Sequence, residues 1–157
     1  MLFHYDYTGN RSLLDRPTVA FFASREVSPA LRERALRWAE ECCRSGRVVM
    51  SGFQSPLEKE LFQLLLRARH PVIWGLGRSL YRRYGPEVEE ALAEDRILIF
   101  AVRNASRTGW QTAQARNYVV ASLADEEVYA INEQGRRSSL GVLCRLAAPT
   151  KRVEVLV

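Results

Sequence analysis

The chain has 157 residues, a formal net charge of +5, and ordinary shares of apolar and charged residues at 47% and 26%. That length suffices for one domain with a real core, and that composition is ordinary for a globular protein and does not suggest disorder. All but two of the 23 basic residues are arginine, the exceptions being Lys59 and Lys151, and guanidinium groups suit planar, bidentate contact with phosphate or carboxylate.

Residues 1–16 form a mixed polar and aromatic lead-in with turn chemistry at Thr8-Gly9-Asn10, read as an arm or short helix lying on the domain. Pro17 introduces a continuous apolar strand over Thr18 to Ala23. Ser28-Pro29 supplies an N-cap with proline at the first helical position, and Ser45-Gly46 stops the helix that follows. Val48-Val49-Met50 suits a strand buried on both faces, ended by Ser51-Gly52. A helix is expected from about Pro56 to Ala68, then a short strand over Pro71 to Trp74 closed by Gly75-Leu76-Gly77. A helix containing Glu87 to Glu94 precedes the most strand-like run, Ile97 to Val102. After a polar loop, Arg103 to Gln111, come a helix over Thr112 to Ala124 and a strand over Glu127 to Asn132. A short helix over Ser139 to Leu146 and a last strand over Arg152 to Val157 complete the order. Such alternation through short connections predicts an α/β domain over residues 17–157, a mostly parallel sheet of about six strands with helices on both faces.

Ligands of such sheets sit beyond the carboxyl ends of the strands. The segments to weigh are Ser24-Arg25, Ser51-Gly52, Gly75-Leu76-Gly77-Arg78, Arg103 to Trp110, and Asn132 to Gly135. Most carry Gly or Ser with arginine in reach, a set suited to phosphate, although each is also an ordinary strand-to-helix turn. Leu80 stands where a dinucleotide fingerprint needs a third glycine, and no Gly-Lys-Ser/Thr phosphate loop occurs. His4 and His70 are far apart, and Cys42, Cys43 and Cys144 are unpatterned, so neither a metal nor another cofactor is expected. Glu58 is the one carboxylate placed for acid/base work, and near a helix start it equally complements the dipole. The Arg103 to Gln111 loop interleaves arginines with Trp110, a mixture that binds single strands, and an exposed loop with a half-buried tryptophan fits it as well. Apolar runs are too short to span a bilayer and no leader pattern opens the chain, so the expected place is the cytoplasm, away from membranes.

Several of these segments resemble the DNA-processing protein A (DprA/Smf) family, within the lysine-decarboxylase-like (LOG/SLOG) nucleotide-binding superfamily. Val19 to Arg25 is similar to that family's first strand ending in Gly-Ser-Arg, and Val48 to Gly52 to its strand ending in Ser-Gly. Ala115-Arg116-Asn117-Tyr118-Val119-Val120-Ala121-Ser122-Leu123-Ala124-Asp125 resembles its Arg-Asn helix, and Ser138-Ser139-Leu140-Gly141 its Ser-Gly-Ser-Leu turn. The resemblance implies a Rossmann-like three-layer fold with a phosphate-binding edge of Ser24, Arg25, Ser51, Gly52, Arg116, Asn117, Ser138 and Ser139. To these the turn residues Gly75, Gly77 and Arg78 are added as candidates. It also implies non-catalytic binding of single-stranded DNA, delivery to a recombinase, and self-association as a homodimer. The alternative is a small-ligand domain that senses or cleaves a nucleotide derivative, with Glu58 as its acid or base. Ala23 replaces the family's first-turn glycine, and Phe53 to Glu58 lacks its Gly-Ile-Asp segment.

Overall fold

The computed structural model describes residues 3–132 and 138–157. Apolar residues on both sides of each strand set the layering. In β2 (Thr18–Ala23), Val19, Phe21 and Ala23 enter one core while Ala20 and Phe22 enter the other. The same two-residue alternation runs through β3 (Val48–Ser51), β4 (Val72–Leu76), β5 (Ile97–Ala101) and β6 (Glu126–Ala130). Helices α1 (Pro29–Ser45), α2 (Pro56–Arg67) and α3 (Pro86–Ala93) cover the first face. The second face is covered by α4 (Trp110–Leu123) and α5 (Ser139–Arg145). The result is a three-layer α/β sandwich of Rossmann-like type.

With β1 (Asp6–Gly9) and β7 (Arg152–Val155), the sheet has the order β1-β5-β4-β3-β2-β6-β7 among the described residues. Only β1 is antiparallel to its neighbour, pairing Asp6 with Ala101 and Gly9 with Leu98. The strands β3, β4 and β5 extend to one side of β2, whereas β6 and β7 extend to the other. Chain order therefore reverses at β2, and the carboxyl ends of β2, β3 and β6 open into a crevice.

The strand count exceeds the six expected because part of the lead-in joins the sheet. Residues 6–9 form its edge strand and a 3₁₀ turn follows over Arg11–Asp15. The strand is mostly exposed, so it lacks an apolar pattern, and its partner lies some ninety positions away in sequence. The other elements stand close to their expected bounds because their punctuation acts locally. Ser28 Oγ accepts the Leu31 N–H at 3.1 Å, and Gly46 takes the left-handed conformation, φ 78°, that ends α1. The helix α2 turns into β4 through Arg69 at φ 55°, and α3 into β5 through Asp95 at φ 58°.

Candidate nucleic-acid interface

At the end of β2 the chain splits its two polar residues between inside and outside. Ser24 is nearly buried, donating its N–H to the Ala130 carbonyl at 2.9 Å and accepting the Asn132 N–H on Oγ at 3.3 Å. Arg25 is exposed and makes no hydrogen bond or ion pair among the described residues. With Gln54, Ser55, Arg116 and Asn117 it lines a cavity of about 430 Å³. With Ser24, Ser138 and Ser139 it lines a second of about 360 Å³, and Leu140 borders both. The structure thus gathers Ser24, Arg25, Arg116, Asn117, Ser138 and Ser139 around one crevice. The Gly135 turn expected after β6 lies outside the described residues.

Arg116 occupies the crevice floor and is 3% exposed. Its Nη2 donates to Gln54 Oε1 at 2.7 Å, Nη1 to the Gly75 carbonyl at 3.3 Å, and Nε to Asn117 Oδ1 at 2.8 Å. Burial pulls its pKa below the ordinary arginine value, while the Glu58 carboxylate opposes the shift. Gln54, which sequence reasoning passed over, anchors this guanidinium; its only signal was its place just after Ser51-Gly52.

The glycines make room for α4. A methyl group at Gly52 would run into the Arg116 guanidinium, 2.6 Å from Nη1. One at Gly75 would stand 2.9 Å from Val120 Cγ2, and one at Gly77 2.9 Å from the Thr112 carbonyl. These contacts are too close for any Cβ, so the three glycines let the helix settle on the ends of β3 and β4. Ser51 is fully buried, and its Oγ accepts the Phe53 N–H at 3.1 Å. The Gly52 carbonyl accepts the Trp74 indole N–H at 3.1 Å. Arg78 lines neither Arg25 cavity; its guanidinium lies 3.6 Å from the Tyr81 ring centroid and its Nε donates to the Ser79 carbonyl.

Glu58 is buried and fully engaged by the backbone. Its Oε2 accepts the Ala23 N–H at 2.9 Å, and Oε1 accepts those of Gln54 at 2.9 Å and Ser55 at 3.1 Å. Together with Ser55 it forms a capping box at the start of α2. The extra bond to Ala23 ties that helix start to the end of β2.

Charge is distributed unevenly between the sheet's two edges. The amino edge holds Arg47–Glu126, Arg69–Glu90, Arg69–Glu94, Arg96–Glu94, Lys151–Glu127 and Arg152–Glu126. Beyond the carboxyl ends, Arg25, Arg82, Arg83, Arg103 and Arg107 are exposed and have no carboxylate partner among the described residues. Trp110, at the start of α4, is 73% exposed rather than half-buried. No group of three or more His, Cys, Asp or Glu among the described residues could hold a metal, and no described helix is long and apolar enough to cross a membrane.

Fold and crevice together define a doubly wound α/β domain with an arginine-lined, anion-attracting edge. A family model, DNA recombination-mediator protein A, matches residues 2–151, and the chain belongs to that family. No curated protein matches by sequence. The fold is similar to that of DNA processing protein A from Helicobacter pylori, a protein with a single-stranded DNA binding mode: TM-score 0.75, 22% identity, 95% of this chain and 69% of that one. It is also similar to DNA processing protein A from Streptococcus pneumoniae, with TM-score 0.74, 20% identity, and 95% and 53% covered. The molybdenum cofactor binding protein of Rippkaea orientalis shares the fold more loosely, with TM-score 0.59, 15% identity, and 89% and 76% covered.

Proposed function

We propose that this chain binds single-stranded DNA in DNA processing or recombination, without catalysing a reaction on it. The observation that carries the reading is the set of arginines without carboxylate partners along the carboxyl edge, in a chain of the recombination-mediator family. Arg25 meets the backbone phosphate from the solvent side, and Arg116 and Asn117 form the floor beneath it. Ser24, Ser51, Gly52, Gly75 and Gly77 shape the crevice, Ser138 and Ser139 border it, and Arg78, Arg103 and Arg107 extend the positive field. The small-ligand alternative, a nucleotide derivative cleaved with Glu58, has no support in the geometry, because three backbone N–H groups hold that carboxylate.

Titrating a fluorescent thymidine oligomer at several salt concentrations tests the proposal. Affinity should fall linearly on a log–log plot with a slope of roughly −0.7 per phosphate neutralised. Saltinsensitive or absent binding, with thermal stabilisation by a mononucleotide instead, would overturn it in favour of the small-ligand reading. Action in the cytoplasm, delivery of the strand to a recombinase, and self-association as a homodimer complete the proposal. Sedimentation of the chain with and without the oligomer tests self-association; a monomer in both would remove it.

A further inference from the structure

We infer that the trough between α4 and α5 is a nucleobase subsite of the proposed DNA-binding surface. The inference rests on the single-strand reading and adds a second ligand chemistry to it. Trp110 and Tyr118 lie two turns apart on α4 and are 73% and 59% exposed. Across from them, Val142 and Leu146 belong to α5 and its C-cap and are 46% and 63% exposed. Between the two sides lies a cavity of about 370 Å³. These two aromatic and two branched aliphatic side chains are half of the eight large apolar side chains exposed among the described residues, the others being Tyr7, Tyr81, Val155 and Val157.

What occupies the trough follows from what it adjoins. Asn117 lines both this cavity and the Arg25–Arg116 crevice, and Ser138 and Ser139 line both this cavity and the second Arg25 compartment. Leu140 borders all three. An apolar, aromatic-sided trough therefore shares a wall with an arginine-lined anion site. A nucleotide unit has the matching two-part chemistry, a charged phosphate joined to a flat base with an apolar face. The amides of Gln114 and Asn117, at the trough wall, can donate to or accept from a base edge. Aromatic stacking accepts any base, so the subsite should bind single strands with little sequence preference. A paired base in a duplex cannot enter, because both its faces are already stacked.

The test compares a thymidine oligomer with an abasic oligomer of equal length, which has the same phosphates and no bases. Wild-type protein should bind the thymidine oligomer on the order of tenfold more tightly, given the stacking energy of a base on an aromatic side chain. Tyr118→Ala should reduce that preference, leave abasic affinity unchanged, and be rescued by Tyr118→Phe; Trp110→Ala should behave as Tyr118→Ala does. Both residues are exposed, so circular dichroism of the variants should match wild type. Equal wild-type affinity for the two oligomers, an equal loss for both in Tyr118→Ala, or no loss for either would overturn the base subsite while the DNA reading stands. Failure of both oligomers to bind wild-type protein would overturn the DNA reading itself and this inference with it.

Discussion

Arg25 and Arg116 line the same crevice, yet the surroundings of each give them different parts to play. Arg25 is exposed and packs on nothing essential, so Arg25→Ala should leave stability within about 0.5 kcal/mol of wild type. The same variant should reduce the magnitude of the salt slope for oligonucleotide binding by about 1, measured by the titration above. Arg116 is buried against Gly52, and the two should couple. Gly52→Ala should cost about 1–3 kcal/mol by denaturant unfolding, because the methyl must displace the guanidinium. In an Arg116→Ala background that cost should shrink, and strictly additive losses would show that the two do not contact in solution. His70, at the amino edge, is buried with Nε2 2.5 Å from the Arg47 carbonyl, and burial lowers its pKa from the ordinary histidine value. A lowered folded-state pKa means that the unfolded chain binds the proton more readily. Its stabilising contribution is thus complete above about pH 6.5 and is lost as pH falls through the folded-state value. Denaturant curves between pH 8 and pH 5 should show this loss in wild type and a weaker one in His70→Gln. Cys42, fully buried and with its thiol pushed up to about 12 by desolvation, should resist alkylation in the native protein at pH 8.

Among the elements, α2 and α4 hold the crevice together by different means. The start of α2 is pinned by Glu58, whose carboxylate satisfies the Ala23 N–H at the end of β2 as well as its own helix cap. Glu58→Ala should therefore cost more than Ser55→Ala in thermal or denaturant unfolding. The serine contributes a cap worth about 1 kcal/mol, whereas losing the glutamate also leaves a buried donor unpaired. Equal costs would mean that the bond to Ala23 contributes nothing. The caps of α1 were legible in the sequence, since Ser28-Pro29 and Ser45-Gly46 act on the few residues around them. By contrast, α4 gives a poor amphipathic pattern. It sets Arg116, Val120 and Ala121 against the sheet and leaves Trp110 and Tyr118 in water, and only the packed fold distinguishes those two sides. The edge strand β1 was illegible for a related reason, because its hydrogen-bond partner comes from β5.

Across the whole molecule, topology turns a scattered set of arginines into a polarised surface. Ion pairs at the amino edge engage Arg47, Arg69, Arg96, Lys151 and Arg152, whereas Arg25, Arg82, Arg83, Arg103 and Arg107 beyond the carboxyl ends have no carboxylate partner among the described residues. The net charge of +5 announces a basic protein but says nothing of this division. Local order in the chain determined the alternation of strands and helices, their caps and the parallel character of the sheet, because apolar periodicity and turn chemistry act over a few residues. It also marked Ser24, Arg25, Arg116 and Asn117, through motifs that resemble a known family. Tertiary structure alone decided which of these reach solvent. It placed Arg116 beneath the crevice, committed Glu58 to backbone donors, and assigned Gly52, Gly75 and Gly77 to the close approach of α4. Those outcomes depend on the distance between segments that are remote in sequence, and only packing the helices onto the sheet sets that distance.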